Sequence, residues 1–170
     1  MSALNKTSVH ETALVEKGAS TGSDCDIGPF CLVGSNVRLG NRVKLHSHVV
    51  VTGNTIIGDD TVIWPFASIG HQPQDLKYQG EKSNLIIGKR NKIRESVSIN
   101  PGTTGGGGVT RIGDDCLFML GSHVGHDSLI GDFVVVANNS AIAGHVTIGN
   151  NVTIGGLSGV HQFCRVGEGS

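Results

Sequence analysis

Along this chain a large apolar residue returns every six positions, and a small residue follows four places after it. From Ser8 the sequence divides into SVHETA, LVEKGA, STGSDC, DIGPFC and so on, ten units that end at Ala67. A partial unit, SIG at 68–70, precedes a break. The register resumes with IIGKRN, KIRESV and SINPGT over 86–103, breaks again at TGGGGVT over 104–110, and runs on through ten more units, RIGDDC to RVGEGS. In these complete units the second place is aliphatic or Phe everywhere except Thr21. The third place is often Gly, and the sixth is mostly Ala, Ser, Thr, Cys or Val.

This period excludes ordinary helix–strand alternation, because no segment holds a helical spacing over about 12 residues. It predicts instead a repeat architecture. One large and one small residue per six point inward, and the chain turns a corner after each six. Three sides close a triangular coil of 18 residues. Successive coils stack by parallel-strand hydrogen bonding, about 4.8 Å apart. The fold class is therefore all-β: a solenoid of between seven and eight coils, one domain over 1–170, with two inserted loops at 71–84 and 104–110. Gly in the third place is expected to supply the conformational freedom of the corners. Val49, Val51, Trp64 and Phe66 are expected among outward-facing apolar residues.

Composition narrows the function classes. A net charge of −1 and a pI near 6.7 do not suggest a nucleic-acid binder or a polybasic membrane protein. No apolar run approaches the ~18 residues of a membrane span. The N-terminal stretch MSALNKTSVHETALVEKG has no apolar signal-peptide region, so a cytoplasmic location is expected. The four cysteines, Cys25, Cys31, Cys116 and Cys164, show no CxxC spacing and all occupy the sixth place. They read as small buried residues rather than as a redox or zinc centre.

Candidate chemistry concentrates in GSHVGHDSLIGD, residues 121–132. Steps of 18 and 36 from His126 lead to 144 and 162, and His145 and His161 each miss by one. Three histidines thus fall near one corner of three successive coils, and Asp127 follows the first of them. His123 opens the same unit. His10, His46 and His48 read as solvated corner residues. Metal binding is the rival use of clustered histidines, as in the metal-dependent carbonic anhydrases built on this repeat. Zinc ligands must converge at about 2.0–2.1 Å, which a column spaced by one coil achieves only in part. The first loop, HQPQDLKYQGEKSN, is long for a tight solenoid, and long insertions of this kind are commonly functional. The run KRNKIR, 89–94, holds four basic residues in six and suits either an acidic carrier or a solvated edge.

The ordered set QDLKY (74–78), IRESVSI (93–99), HVGHD (123–127), ANN (137–139), AGHV (143–146) and VHQF (160–163) resembles the acyl-ACP:UDP-N-acetylglucosamine O-acyltransferases of lipid A biosynthesis. The repeat alone is shared by many transferases; the ordered set is specific. The resemblance implies a left-handed parallel β-helix, a homotrimer, acyl carrier protein and UDP-N-acetylglucosamine as partners, and no cofactor or metal. It implies that His126 is the general base, that Asp127 orients it, and that the Gly144 N–H stabilises the thioester oxyanion. Gln74, Asp75, Lys77, His123, His145, His161 and Gln162 match substrate-binding positions, with the loop residues reaching a neighbouring subunit's site. An N-acyltransferase acting on a 3-amino sugar nucleotide remains open, as does the carbonic anhydrase reading. The chain departs from the family at Asn100-Pro101-Gly102-Thr103, where His-Arg-Gly-Thr is usual. The family's C-terminal coils and helical region have no counterpart within the 170 residues.

Overall fold

In a computed structural model, described here for residues 6–170, the chain winds into a left-handed parallel β-helix with three eight-stranded faces. The first five residues, part of the N-terminal stretch discussed above, lie outside the described residues. Each repeat unit places a strand on its first two residues: Ser8–Val9, Leu14–Val15 and Ser20–Thr21 open the three sheets. The partial unit supplies one as well, Ser68–Ile69. All pairing is parallel, and in uninterrupted coils a residue pairs with the one 18 positions on, as Asp26 does with Lys44.

The second places form the interior. One column runs Ile27, Leu45, Ile63, Ile93, Phe118, Val136, each essentially inaccessible to water. Burying such a side chain contributes about 1.5–3 kcal/mol, and the columns interlock into one continuous core. Val49 and Val51 belong to it, contrary to expectation, because they fill a sixth and a second place. Phe66 does face outward, and Trp64 is half-buried against His46 and under the Arg94 guanidinium. Cys25, Cys31 and Cys116 are buried as the repeat requires, whereas Cys164, in the last coil, is exposed. His48 is exposed at its corner, between the rings of Phe30 and Phe66.

The corner does not depend on the third-place glycine. The left-handed residue is the fifth of the unit, and it is seldom Gly: Asp24, Phe30, Arg42, Asp60, Asp127 and His145 all have φ near +60°. The third-place Gly serves close approach instead. A Cβ on Gly58 would stand 2.6 Å from the backbone of Gly88 one coil on.

Both insertions leave through the same corner, between the second sheet and the third. The separation of paired residues is 30 from Asn54 to Asn84 and 25 from Asn84 to Val109, against 18 elsewhere, so the insertions amount to 12 and 7 residues. Their ends are drawn into the third sheet, where Asn54–Ile57, Asn84–Ile87 and Val109–Ile112 form four-residue strands. Asn84, Val109 and Thr110 are therefore strand, not loop. The only helical turn among the described residues is Thr104–Gly106, within the second insertion.

Candidate active site

The corner that emits the two loops also carries the histidines. His123 is strand, paired with Ser98 below and Ala141 above. Continuing that register stacks Asn100, Gly125, Ala143 and His161 in one column, His126, Gly144 and Gln162 in the next, and Asp127, His145 and Phe163 in a third. The three imidazoles thus share a corner but not a column. His145 lies a place beyond His126 and meets it edge to face, with ring centroids 5.0 Å apart. Its other face stacks on Phe163 at 4.7 Å. His161 lies a place earlier and is exposed, with Nδ1 3.3 Å from the Gln162 carbonyl.

His126 and Asp127 are nearly inaccessible, and the Asp127 side chain fully so. His126 Nδ1 lies 2.8 Å from Asp127 Oδ2. The carboxylate has two further donors: the Thr103 N–H reaches Oδ1 at 2.8 Å, and the Thr103 hydroxyl reaches Oδ2 at 2.6 Å. The Asp127 N–H donates to Thr110 Oγ1 at 2.8 Å. A buried carboxylate needs such partners, since desolvation without them costs several kcal/mol. Opposite a carboxylate, which only accepts, a neutral imidazole places its proton on Nδ1 and its lone pair on Nε2.

Thr103 and Thr110 bracket the glycine-rich insertion, which closes over the carboxylate. Gly106 is pressed so close that an added Cβ would stand 2.0 Å from Asp127 Cγ. Thr103, Thr110 and Gly106 escape a reading of the sequence as repeats. The signal available was a glycine run emerging from a fixed register, which marks a close backbone approach.

Gly144, one coil above, lies against the His126 ring. Among the described residues its N–H has no hydrogen-bond acceptor. At the corner between the third sheet and the first, fourth-place N–H groups point along the axis to a side chain one coil on, as Asp132 N does to Asn150 Oδ1 at 2.8 Å. Gly144 therefore offers a donor beside the imidazole.

Two clefts flank this corner. One, about 490 Å³, has a floor of small residues, Gly125, Ala141, Ala143 and Gly159, and a rim that includes Gln74, Asn100 and His123. The other, about 680 Å³, is lined by Asp75, Lys77, Thr103, Thr104, His145 and Phe163. The first loop packs against its own corner. It is held there by Asn100 Nδ2, which donates to the His71 carbonyl at 3.0 Å, and by Glu81, which accepts from the Thr104 N–H at 3.3 Å. The Lys77 N–H holds the Asp75 carboxyl below its ordinary value, helped by the charge of Lys77. Burial pushes the His123 imidazole below its ordinary value, against a hydrogen bond with Ser98.

Three of the basic residues in 89–94 are already paired, Lys89 with Asp59 at 3.9 Å. Arg90 clasps Asp114 and Asp115, and Arg94 holds Glu95. Lys92 has no carboxylate partner among the described residues.

Comparison with known proteins agrees with this geometry. Residues 36–71 match the bacterial transferase hexapeptide model. The acyl-ACP–UDP-N-acetylglucosamine O-acyltransferase of Anaeromyxobacter dehalogenans is 57% identical over 159 residues, covering 94% of this chain and 62% of that protein. Among solved structures, the UDP-N-acetylglucosamine acyltransferase of Bacteroides fragilis superposes with a TM-score of 0.79 at 34% identity, covering 94% of this chain and 67% of that one. The chain belongs to the UDP-N-acetylglucosamine acyltransferase family. A third member, from Moraxella catarrhalis, gives a TM-score of 0.91 at 49% identity over 93% of this chain and 62% of that one. The chain spans less than two thirds of the length of these curated family members.

Proposed function

We propose that this chain carries the transfer centre of an enzyme that moves a 3-hydroxyacyl chain from acyl carrier protein to the 3-hydroxyl of UDP-N-acetylglucosamine, the first step of lipid A biosynthesis. The observation that carries this reading is the buried His126–Asp127 pair, with the Gly144 N–H beside it and a cleft on either side.

An alcohol is a poor nucleophile near neutral pH, and an imidazole is an efficient acceptor for its proton. With Nδ1–H bound to Asp127, His126 Nε2 takes the proton of the sugar hydroxyl as its oxygen attacks the thioester carbonyl. The new C–O bond forms and the carbonyl oxygen becomes anionic. The Gly144 N–H donates to that oxygen, which is where such a donor is worth most. As the C–S bond breaks, the imidazolium returns its proton to the leaving thiolate. No covalent acyl-enzyme is needed. The cleft floored by Gly125, Ala141, Ala143 and Gly159 suits an apolar chain; the cleft of Asp75, Lys77 and His145 suits the sugar nucleotide, with Lys77 balancing phosphate charge. His161 and Gln162 close the upper end of the apolar cleft. The assembly is read as a cytoplasmic homotrimer.

His126, Asp127 and His145 also converge as a triad of possible metal ligands. Asp127 is already committed to Thr103 and His126, which favours an orienting role for it over ligation. The deciding experiment is a transfer assay with both substrates. His126→Ala should lower turnover by about 10²–10⁴-fold, the usual contribution of a positioned base. Unchanged turnover would overturn the reading. A 3-amino sugar nucleotide run in parallel separates O- from N-transfer.

A further inference from the structure

Asn100 stands one coil below Gly125, on the rim of the apolar cleft that holds His126. It is 5% exposed. Its amide orientation is fixed by the chain itself: Nδ2 donates to the carbonyls of His71 at 3.0 Å and Gln72 at 3.3 Å. Those acceptors require the nitrogen on the loop side, so the oxygen cannot be the flipped atom. Oδ1 is buried and has no hydrogen-bond partner.

A buried carbonyl oxygen without a partner is costly, about 1–3 kcal/mol, and such groups call for a specific explanation. Nothing in the solenoid's stability needs this one. The third place of the unit is commonly Gly, and the two Nδ2 bonds account for only one end of the amide. Asn100 itself lines the cleft where the reaction is proposed to occur. Its neighbours on that rim, Gln74 and His123, are also polar, whereas the floor is made of small apolar residues.

We infer that Asn100 is a specificity-determining residue: its Oδ1 accepts a hydrogen bond from a hydroxyl or amide N–H of the substrate bound beside His126. An acceptor that is unpaired in the free protein discriminates against a ligand lacking the matching donor, because it then stays unpaired in the complex. Two substrates bring donors to this corner, the acyl chain with any hydroxyl close to its thioester, and the sugar. The inference rests on the transferase reading above.

The test is a set of kcat/KM ratios in the active protein. Wild-type turnover with both substrates establishes the transferase reading; its absence would remove that reading, independently of Asn100. Acyl donors with and without a hydroxyl next to the thioester form one arm. Sugar nucleotides lacking one hydroxyl or the acetamido N–H form the other. In one arm the wild type should prefer the donor-bearing substrate by about 5–150-fold, the equivalent of one such unpaired group. In Asn100→Leu that preference should shrink to within about two-fold, and the affected arm identifies the source of the donor. Asn100→Asp keeps an acceptor but loses the bonds to His71 and Gln72. It should be slower on every substrate yet retain the preference, and it serves as the reading if the leucine variant does not fold. If Asn100→Leu slows all substrates equally, or keeps the wild-type preference, Asn100 only pins the loop and the inference fails.

Discussion

The backbone of Gly144 lies against the His126 imidazole so closely that a Cβ on residue 144 would stand 2.7 Å from both Cε1 and Nε2. Base and oxyanion donor are therefore not independent features. The absent side chain at 144 is what lets the ring occupy its position over the next coil.

Gly144→Ala should displace the imidazole without unfolding the solenoid. The residue adopts an ordinary negative-φ corner conformation, and the obstruction lies outside the core. A misplacement of the order of 1 Å can cost about 10²-fold in rate. Turnover should fall by that factor while the thermal midpoint moves little, which a melting curve beside the transfer assay will check.

The glycine run over Asp127 gives a paired comparison within one loop. Gly106→Ala places a methyl group 2.0 Å from Asp127 Cγ, whereas nothing lies within 4 Å of a Cβ at Gly105. The first substitution should push the insertion off the carboxylate, free Thr103 and reduce turnover by about ten-fold or more. Gly105→Ala should leave it nearly unchanged. Equal effects from both would mean that the loop does not act through Asp127.

His123 makes a pH prediction. Its folded value is depressed by burial below the ordinary 6.5. Above 6.5 the imidazole is neutral both folded and unfolded, and contributes no pH dependence. Between 6.5 and the lower folded value the unfolded chain binds more protons, so stability falls as pH falls through that window. His123→Gln should flatten this part of the stability curve. Denaturant midpoints measured across the window, wild type against variant, will show whether it does.

Metal removal separates the proposed direct attack from the carbonic anhydrase reading. Protein treated with a chelator and dialysed should retain its full transfer rate. Loss of turnover that zinc restores would instead make His126, Asp127 and His145 ligands.

Much of the fold was legible because the repeat encodes it redundantly. Each unit names its own strand, and even the fragment SIG marks one correctly, at Ser68–Ile69. What periodicity could not supply was the demand at each place. The third-place Gly looked like the corner, but the left-handed residue is the fifth, where Asp127 and His145 sit with φ of 58° and 59°. That conformation costs about 1–2 kcal/mol for most L-residues, and the repeat tolerates it at position after position. Counting in eighteens brought His126, His145 and His161 to one corner. It did not reveal that the one-place offsets turn a column into an edge-to-face pair with one exposed neighbour. Nor could it bring Thr103 to Asp127, a contact made only when an irregular insertion folds back. Val49 and Val51 were legible from their places in the unit and were misjudged by their neighbours.

Both insertions emerge through one edge of the prism, and the ladder on either side resumes in step, Asn54 against Asn84 and Asn84 against Val109. Chemistry and architecture are thereby written in separate parts of the chain. Lengthening, shortening or exchanging either insertion alters what surrounds His126 and leaves the other two edges untouched. Such a scaffold can acquire new substrates through changes at a single seam, without renegotiating its stability each time.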